Sequence, residues 1–160
     1  MAQALREKYA HFIDINKNVG TASYKREGIG VEALSMAYNP NIDTYKTILS
    51  SEAESVFKNY DIQSSVSGKR IFSNDDIYTM LNTARKQAKP IETTLLEVDM
   101  TTTSPYPATK YDVLIVLDEF LGEDATISYN IYYKNPIEGT ATISGSGASA
   151  VPSFTPTTSL

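Results

Sequence analysis

Period-two alternation of apolar and polar side chains is the feature that most constrains the fold of this chain. It is cleanest over residues 126–133, where every second side chain is apolar: Ile127, Tyr129, Ile131 and Tyr133. Residues 93–101 and 111–118 repeat the pattern, and residues 8–15 are a further candidate strand. Because successive side chains of a strand point to opposite faces, this spacing is typical of strands. Together with the segments described below, it predicts about seven or eight strands.

Only one segment has helical spacing. Its apolar stripe consists of Ile77, Met80, Leu81, Ala84 and Ala88. Ser73 followed by Asp76 is a capping-box pattern at its start, and Pro90 limits its end. One helix is too few for an alternating β/α architecture. The sequence therefore predicts a mainly β fold with one α-helix, in which two antiparallel sheets pack as a sandwich or partial barrel.

Turn signals divide the second half of the chain. Glu123 and Asp124 follow Gly122 at a predicted hairpin turn. Asn135-Pro136 with Gly139 predicts another turn, which would bring residues 140–144 back alongside residues 126–133.

The C-terminal residues 148–160 are rich in Ser, Thr, Pro and Ala, and Phe154 is their only large anchor. They are predicted to form an extended arm that is ordered only when something outside the domain receives it. Residues 1–147 are then a single domain. On this interpretation, deleting the arm weakens contacts between subunits more than it weakens folding.

A long polar stretch over residues 39–58 separates a candidate strand at 31–38 from another at 59–67. Loops much longer than about 12–15 residues are uncommon in compact domains and are usually functional. Apolar side chains punctuate this one, and a small domain has little surface left to cover them. We therefore predict that it contacts neighbouring copies of the chain. The predicted contact residues are Tyr38, Asn39, Pro40, Tyr45, Ile48, Leu49, Val56, Phe57 and Tyr60, with Phe154 from the arm.

Composition narrows the chemistry. The chain has no cysteine, a single histidine (His11) and a net charge of −5, so disulfides, thiolate metal sites and a DNA-gripping surface are not expected. Basic pairs such as Lys69-Arg70 are interpreted as solvated surface. Asp118 and Glu119 are adjacent in a strand and point to opposite faces, which disfavours a catalytic pair. We expect no enzymatic activity and no cofactor.

The N-terminus carries charges where a secretion signal needs an apolar core, and no apolar run approaches the roughly 20 residues of a membrane helix. We therefore expect a protein of the cytosol that does not insert into membranes. Its eleven tyrosines fit either an interface or the preference of sheets for tyrosine, and composition does not decide between them.

The order of several short motifs resembles phage major tail proteins. The run Tyr38–Tyr45 leads through Ile48–Glu54 to Val56–Tyr60, a single central helix follows, and Phe154-Thr155-Pro156 lies near the end. The resemblance implies a tail-tube fold whose copies close into six-membered rings. In such rings the inner sheets join into a continuous β-barrel, and the rings stack into a tube that conducts the genome.

The resemblance also implies partners and a location. The partners would be other copies of the chain and the tape-measure, baseplate or initiator, and terminator proteins of a tail. DNA would pass through without specific binding. The protein would be assembled in the host bacterial cytoplasm and would reside in the tail of the virion.

A strand that faces a water-filled channel must be polar on that face, and two strands qualify. Their predicted channel-lining residues are Thr93, Glu97, Asp99 and Thr101 in one strand and Thr126, Ser128 and Asn130 in the other. The same residues equally fit an ordinary solvent-facing side of a sandwich. Two other functions stay open: a small ligand- or carbohydrate-binding β-sandwich, and the tube subunit of a contractile injection device or phage-like bacteriocin.

Overall fold

The computed structural model describes residues 8–28, 31, 34–49, 51–145 and 149–157. Within that part, ten strands and one helix follow in the order β1 (Tyr9–Asp14), β2 (Tyr24–Arg26), β3 (Ser35–Ala37), β4 (Pro40–Tyr45), β5 (Glu54–Tyr60), β6 (Gln63–Arg70), α1 (Asp76–Gln87), β7 (Ile91–Asp99), β8 (Tyr106–Leu121), β9 (Thr126–Ser144) and β10 (Val151–Pro156). The predicted mainly β fold with one helix is confirmed.

The strands form two antiparallel sheets, as predicted, but the sheets are very unequal. Eight strands make a sheet with the order β2-β1-β7-β8-β9-β6-β3, in which β10 also pairs with β9; β4 and β5 make the second sheet. Strands β6 and β10 share one side of the long β9, each pairing with a different half of it. Strand β10 also contacts β2, so the large sheet curls without closing into a barrel.

Two apolar cores lie on opposite faces of the large sheet. Leu95 and Leu96 are neighbours in β7, so they point to opposite faces, and both are fully buried. Leu95 belongs to the first core, which α1 covers with Ile77, Met80, Leu81 and Ala84. Leu96 belongs to the second core, which the curl of the sheet encloses. The central strands are therefore buried on both faces, which explains their nearly continuous apolar sequence.

The helix covers the predicted residues but is capped two residues later than expected. Asp75, rather than Ser73, is the N-cap, and its Oδ1 accepts a hydrogen bond from the Ile77 N–H at 3.1 Å. The helix ends at Gln87, and Ala88 adopts a left-handed conformation with φ 53°. Ala88 is therefore the C-cap rather than part of the buried stripe.

The predicted turn at Asn135-Pro136 is wrong, because β9 runs through it without reversing. Pairing with β8 instead jumps from Lys134–Asp112 to Ile137–Lys110, which is a β-bulge. Asn135 has φ 53°, a conformation that asparagine tolerates better than most residues. The turn predicted at Gly122–Asp124 is confirmed, since it joins β8 to β9.

The C-terminal segment is not an arm that awaits an outside partner. Residues 151–156 are β10, paired from Val151–Ser144 to Pro156–Gly139, and Phe154 packs against the second core of its own chain. A Cβ atom on Gly139 would lie 2.3 Å from the Thr155 carbonyl oxygen, so this close approach requires glycine. The predicted contact of Phe154 with a neighbouring subunit is therefore replaced by an internal one. Ala148 and residues 158–160 lie outside the described part of the chain.

Candidate assembly surface

The stretch predicted as a long loop is a projecting β-hairpin, formed by β4 and β5. It continues the β3–β6 ladder past a kink at Asn39, where φ is 43°. Two hydrogen bonds join the strands at the kink: Asp61 N–H donates to Asn39 O at 3.2 Å, and Asn39 Nδ2 donates to Asp61 O at 3.0 Å. Of the two flanking strands that the sequence predicts, the first is observed as β3, and the second is divided between the end of β5 and β6. The hairpin, hereafter residues 38–60, therefore leaves the sheet beyond the N-terminal end of β6.

The hairpin exposes an unusual amount of apolar surface. Ile48 and Leu49 at its tip are 102% and 94% exposed. Six more apolar side chains are between 45% and 56% exposed: Tyr38, Ile42, Tyr45, Val56, Phe57 and Tyr60. Exposed apolar side chains in this number are typical of an interaction site. The structure thus groups every predicted contact residue except Phe154, and it adds Ile42, which pairs with Phe57 across the hairpin.

Three aromatic rings form a cluster at the base of the hairpin. The Tyr38 and Tyr60 ring centroids are 5.6 Å apart in an edge-to-face arrangement, and those of Phe57 and Tyr60 are 4.7 Å apart. Such pairs hold the rings in fixed positions without burying them. The cluster is therefore a preformed aromatic surface that is exposed in the single chain.

Polar contacts along the hairpin fix its register. Lys58 pairs with Asp43 at 2.8 Å, Tyr45 OH donates to Glu54 at 3.0 Å, and Asn41 Nδ2 donates to Asn59 at 2.6 Å. Exposed pairs of this type contribute less than about 1 kcal/mol each, and an isolated two-stranded hairpin is marginally stable. Packing against another surface would stabilise the hairpin.

The two predicted channel-lining sets lie on opposite faces of the large sheet. Thr93 pairs with Val113, a residue of the first core, so Thr93, Glu97 and Asp99 point toward the helix-covered face. Ser128 and Asn130 alternate with the core residue Tyr129 and point to the other face. One sheet cannot turn both sets toward the same channel.

The members of the first set differ in their surroundings. Thr93 is 1% exposed, and its hydroxyl donates to Asp14 O at 2.6 Å, so it lines no channel. Burial, and then the nearby Asp99 carboxylate, raise the pKa of Glu97. Thr101 lies beyond the end of β7, where its hydroxyl donates to Asp99 at 2.5 Å. Thr126, Ser128 and Asn130 are half-buried, as are Glu97 and Asp99, whereas Thr101 is exposed.

The structure contains a buried cluster of charged side chains that the sequence does not predict. Lys69, predicted as solvated surface, has a side chain that is 0% exposed. A bulge between Val66 and Lys69, with Gly68 at φ 67°, turns the lysine into the first core. Its Nζ lies 2.5 Å from Glu27 Oε1 and 3.0 Å from Asp75 Oδ2, while Tyr129 OH donates to Glu27 Oε2 at 2.5 Å. The glycine that interrupts the apolar alternation of β6 is the one sequence signal for this bulge.

The surroundings of His11 predict a pH dependence of folding stability. Burial, and then the positive charge of Arg26, lower its pKa from 6.5 to about 4. Protonation therefore favours the unfolded chain, and stability present above pH 6.5 is lost as the pH falls toward 4. We expect this histidine alone to remove about 1.5 kcal/mol of unfolding free energy between pH 6.5 and 5.

Urea unfolding at the two pH values, compared between the wild type and His11→Asn, measures the effect. Raised carboxyl pKa values, such as that of Glu97, act in the opposite direction in both proteins and cancel in the comparison. The variant should lose less stability on acidification than the wild type does. Equal losses would show that His11 does not stay neutral in the folded chain.

Among the described residues, no three His, Cys, Asp or Glu side chains gather closely enough to hold a metal ion. The helix of the described part is too short and too polar to cross a membrane.

Comparison with solved structures finds a likeness in fold. No family model and no curated protein matches the chain. Its fold is similar to that of a chain in the six-fold symmetrised cryo-EM structure of the anti-feeding prophage (AFP) baseplate, with a TM-score of 0.51 and 6% sequence identity. The similarity covers 86% of this chain and 96% of that chain. At this identity the likeness shows a shared fold.

Proposed function

We propose that this chain is a structural subunit of a phage tail tube, in which identical copies close into six-membered rings and the rings stack. The observation that carries the proposal is the projecting hairpin with its exposed apolar side chains. Interfaces are built around aromatic and aliphatic anchors that a partner desolvates, and the hairpin offers both kinds. The shared fold with a chain of a six-fold symmetrised prophage baseplate supports the same class of assembly.

Head-to-tail contacts explain how one chain can build both a ring and a filament. A heterologous contact that closes by rotation makes a ring, and one that stays open along the axis makes a stack of rings. Joining large sheets around a ring also covers strand edges that a free subunit leaves open. In this role the chain contacts copies of itself and other tail proteins, resides in the virion tail, and lets DNA pass without binding it.

A second candidate is a ring subunit at the baseplate or in the tube of a contractile injection device. The structural neighbour belongs to a baseplate, and almost its whole length matches this fold. Tube and baseplate roles share the ring and differ in the proteins bound above and below it. Purification of the native particle together with its neighbouring proteins distinguishes them.

Sedimentation velocity over a series of protein concentrations tests the proposal. We expect the monomer to give way to a species of six copies and then to larger stacks. The alternative of a small carbohydrate-binding module would use the open depression around Leu114, Tyr132 and Asp112. A stable monomer at every concentration that binds glycans at this depression would replace the assembly role with that one.

We further propose that the face of β9 that carries Thr126 and Asn130 lines the channel. Lysines placed there would contact DNA phosphates, and this binding weakens steeply with salt. Tubes of the Thr126→Lys and Asn130→Lys double variant should therefore retain DNA that nuclease cannot reach, whereas wild-type tubes should retain none. The measurement is the amount of nuclease-protected DNA that sediments with the tubes at low and high salt.

The matched control places lysines on the opposite face of the sheet, with Glu97→Lys and Asp99→Lys. DNA bound to those tubes should stay sensitive to nuclease. Protection in the control variant, and none in the Thr126 and Asn130 variant, would assign the channel to the other face.

A further inference from the structure

A primary amine and two carboxylates meet inside the first core, at the start of α1. The Lys69 and Glu27 side chains are 0% exposed, and that of Asp75 is 3% exposed. Lys69 Nζ lies between the two acids, 2.5 Å from Glu27 and 3.0 Å from Asp75 Oδ2. Apart from that approach, Asp75 Oδ2 has no hydrogen-bond partner among the described residues. Burying charges this deeply costs on the order of several kcal/mol for each ion. Such a cost is typical of side chains that are retained for a function.

We propose that this cluster is a covalent modification site, at which Lys69 Nζ and Asp75 Cγ join in an intramolecular isopeptide bond and Glu27 transfers the protons. The inference rests on the buried cluster alone and does not depend on ring assembly.

The reaction balances without any other reactant. Glu27 accepts a proton from the Lys69 ammonium, and the neutral amine then attacks Asp75 Cγ. This attack forms the C–N bond, and the tetrahedral intermediate then collapses by re-forming the Cγ–Oδ1 carbonyl and breaking the Cγ–Oδ2 bond. That oxygen takes up the protons that nitrogen has released, one of them through Glu27, and leaves as water. The product is a neutral amide, with Glu27 returned to its starting state.

The surroundings favour each step. Lys69 Nζ lies 2.5 Å from Glu27 Oε1 and 3.0 Å from Asp75 Oδ2, so the proton acceptor and the electrophilic carboxyl group both lie beside the amine. Burial raises the pKa of Glu27 against the opposing effect of Lys69, so this carboxyl holds a proton more readily than an exposed one. Tyr129 OH donates to Glu27 Oε2 and fixes the orientation of the group. Proximity within contact distance supplies much of the barrier reduction in reactions of this kind.

The start of the helix stabilises the negative charge that develops on Asp75. Its other oxygen, Oδ1, already accepts a hydrogen bond from the Ile77 N–H at 3.1 Å. A backbone donor at a helix N-terminus is aimed where the tetrahedral intermediate places its oxyanion. Attack therefore leaves Oδ1 held in place and Oδ2 as the departing oxygen. The bond would tie the end of β6 to the start of α1 and would remove two buried charges.

Mass spectrometry of the purified full-length protein tests the proposal. We expect the intact mass to be one water lower than the sequence requires. Trypsin should release residues 59–70 and 71–85 as a single branched peptide, joined through Lys69 and Asp75, although cleavage after Arg70 separates them along the main chain. This measurement needs no variant, so it does not depend on whether a variant folds.

Two variants and a control sharpen the result. Glu27→Gln should keep the full mass, because it lacks the group that transfers protons. Asp75→Asn presents an amide in place of the acid, so bond formation should release ammonia in place of water. Lys25→Arg, at the exposed pair with Asp76, should react like the wild type. A wild-type protein that keeps its full mass after prolonged incubation, with two separate linear peptides, would show an ordinary buried ion pair and overturn the proposal.

Discussion

Replacing Phe57 and Ile48 with alanine should abolish ring and tube formation and leave a folded, soluble monomer. Phe57 is 52% exposed and Ile48 is 102% exposed, so neither side chain contributes much to the core of its own chain. At an interface, truncating an anchor of this kind typically costs about 2 kcal/mol or more. Because every copy in a ring would lose both anchors, the loss of binding free energy would occur at every interface of the ring. Sedimentation velocity and negative-stain imaging measure assembly, and thermal unfolding measures the monomer.

A matched control removes exposed apolar groups outside the hairpin. Val19 is 76% exposed and Leu121 is 44% exposed, and their double alanine variant should assemble as the wild type does. Equal loss of assembly in both variants would indicate a general effect of exposed apolar surface. Normal tubes from the Phe57 and Ile48 variant would remove the hairpin from the interface.

Deleting residues 149–160 should lower the stability of the monomer itself, contrary to the expectation from sequence. The deletion removes the β10 ladder on β9, the buried Ala150 and the ring of Phe154 from the second core. Losing a buried large side chain with its neighbours costs about 3 kcal/mol. For a domain of this size that loss lowers the melting temperature by roughly 6–12 °C. Thermal unfolding followed by circular dichroism measures the change.

A single added methyl group tests the same contact without removing any chain. Gly139→Ala places a Cβ 2.3 Å from the backbone of β10, and it should destabilise the protein in the same direction as the deletion. Gly122→Ala is the matched control, because its Cβ would make only an ordinary contact of 3.6 Å with Phe120. If neither the deletion nor Gly139→Ala changes the melting temperature, the C-terminal segment is an independent arm after all.

Local patterns in the sequence were sufficient for the central part of the fold. Strands β7, β8 and β9 and the helix were predicted because their apolar side chains repeat at the period of the element that buries them. The hairpin was missed as structure because neither of its faces is buried in the chain itself. Its exposed anchors were nevertheless recognised, since apolar residues without a core stand out in a polar stretch.

The wrong predictions share one physical cause: the strand that pairs with a segment decides its conformation, and local sequence does not show which strand that is. Asn135-Pro136 predicts a turn, but β9 continues through these residues as a bulge because it pairs with β8 on both sides of them. Lys69 is predicted to be exposed, but the bulge at Gly68 turns its side chain to the buried face of β6. The two sets of predicted channel-lining residues could not be distinguished from sequence, because alternation within one strand does not show which face of another strand lies on the same side of the sheet. Phe154 looked unpartnered because its partner, β9, lies next to it only in the folded chain.

In the proposed assembly, this chain forms symmetric rings through its hairpin. Electron microscopy of the purified full-length protein at high concentration tests it most directly. We predict end-on class averages with six-fold symmetry around an open channel, side views of stacked rings, and hairpin density that bridges neighbouring copies. Single monomer-sized particles at every concentration, or oligomers whose contacts leave the hairpin exposed to solvent, would contradict the claim.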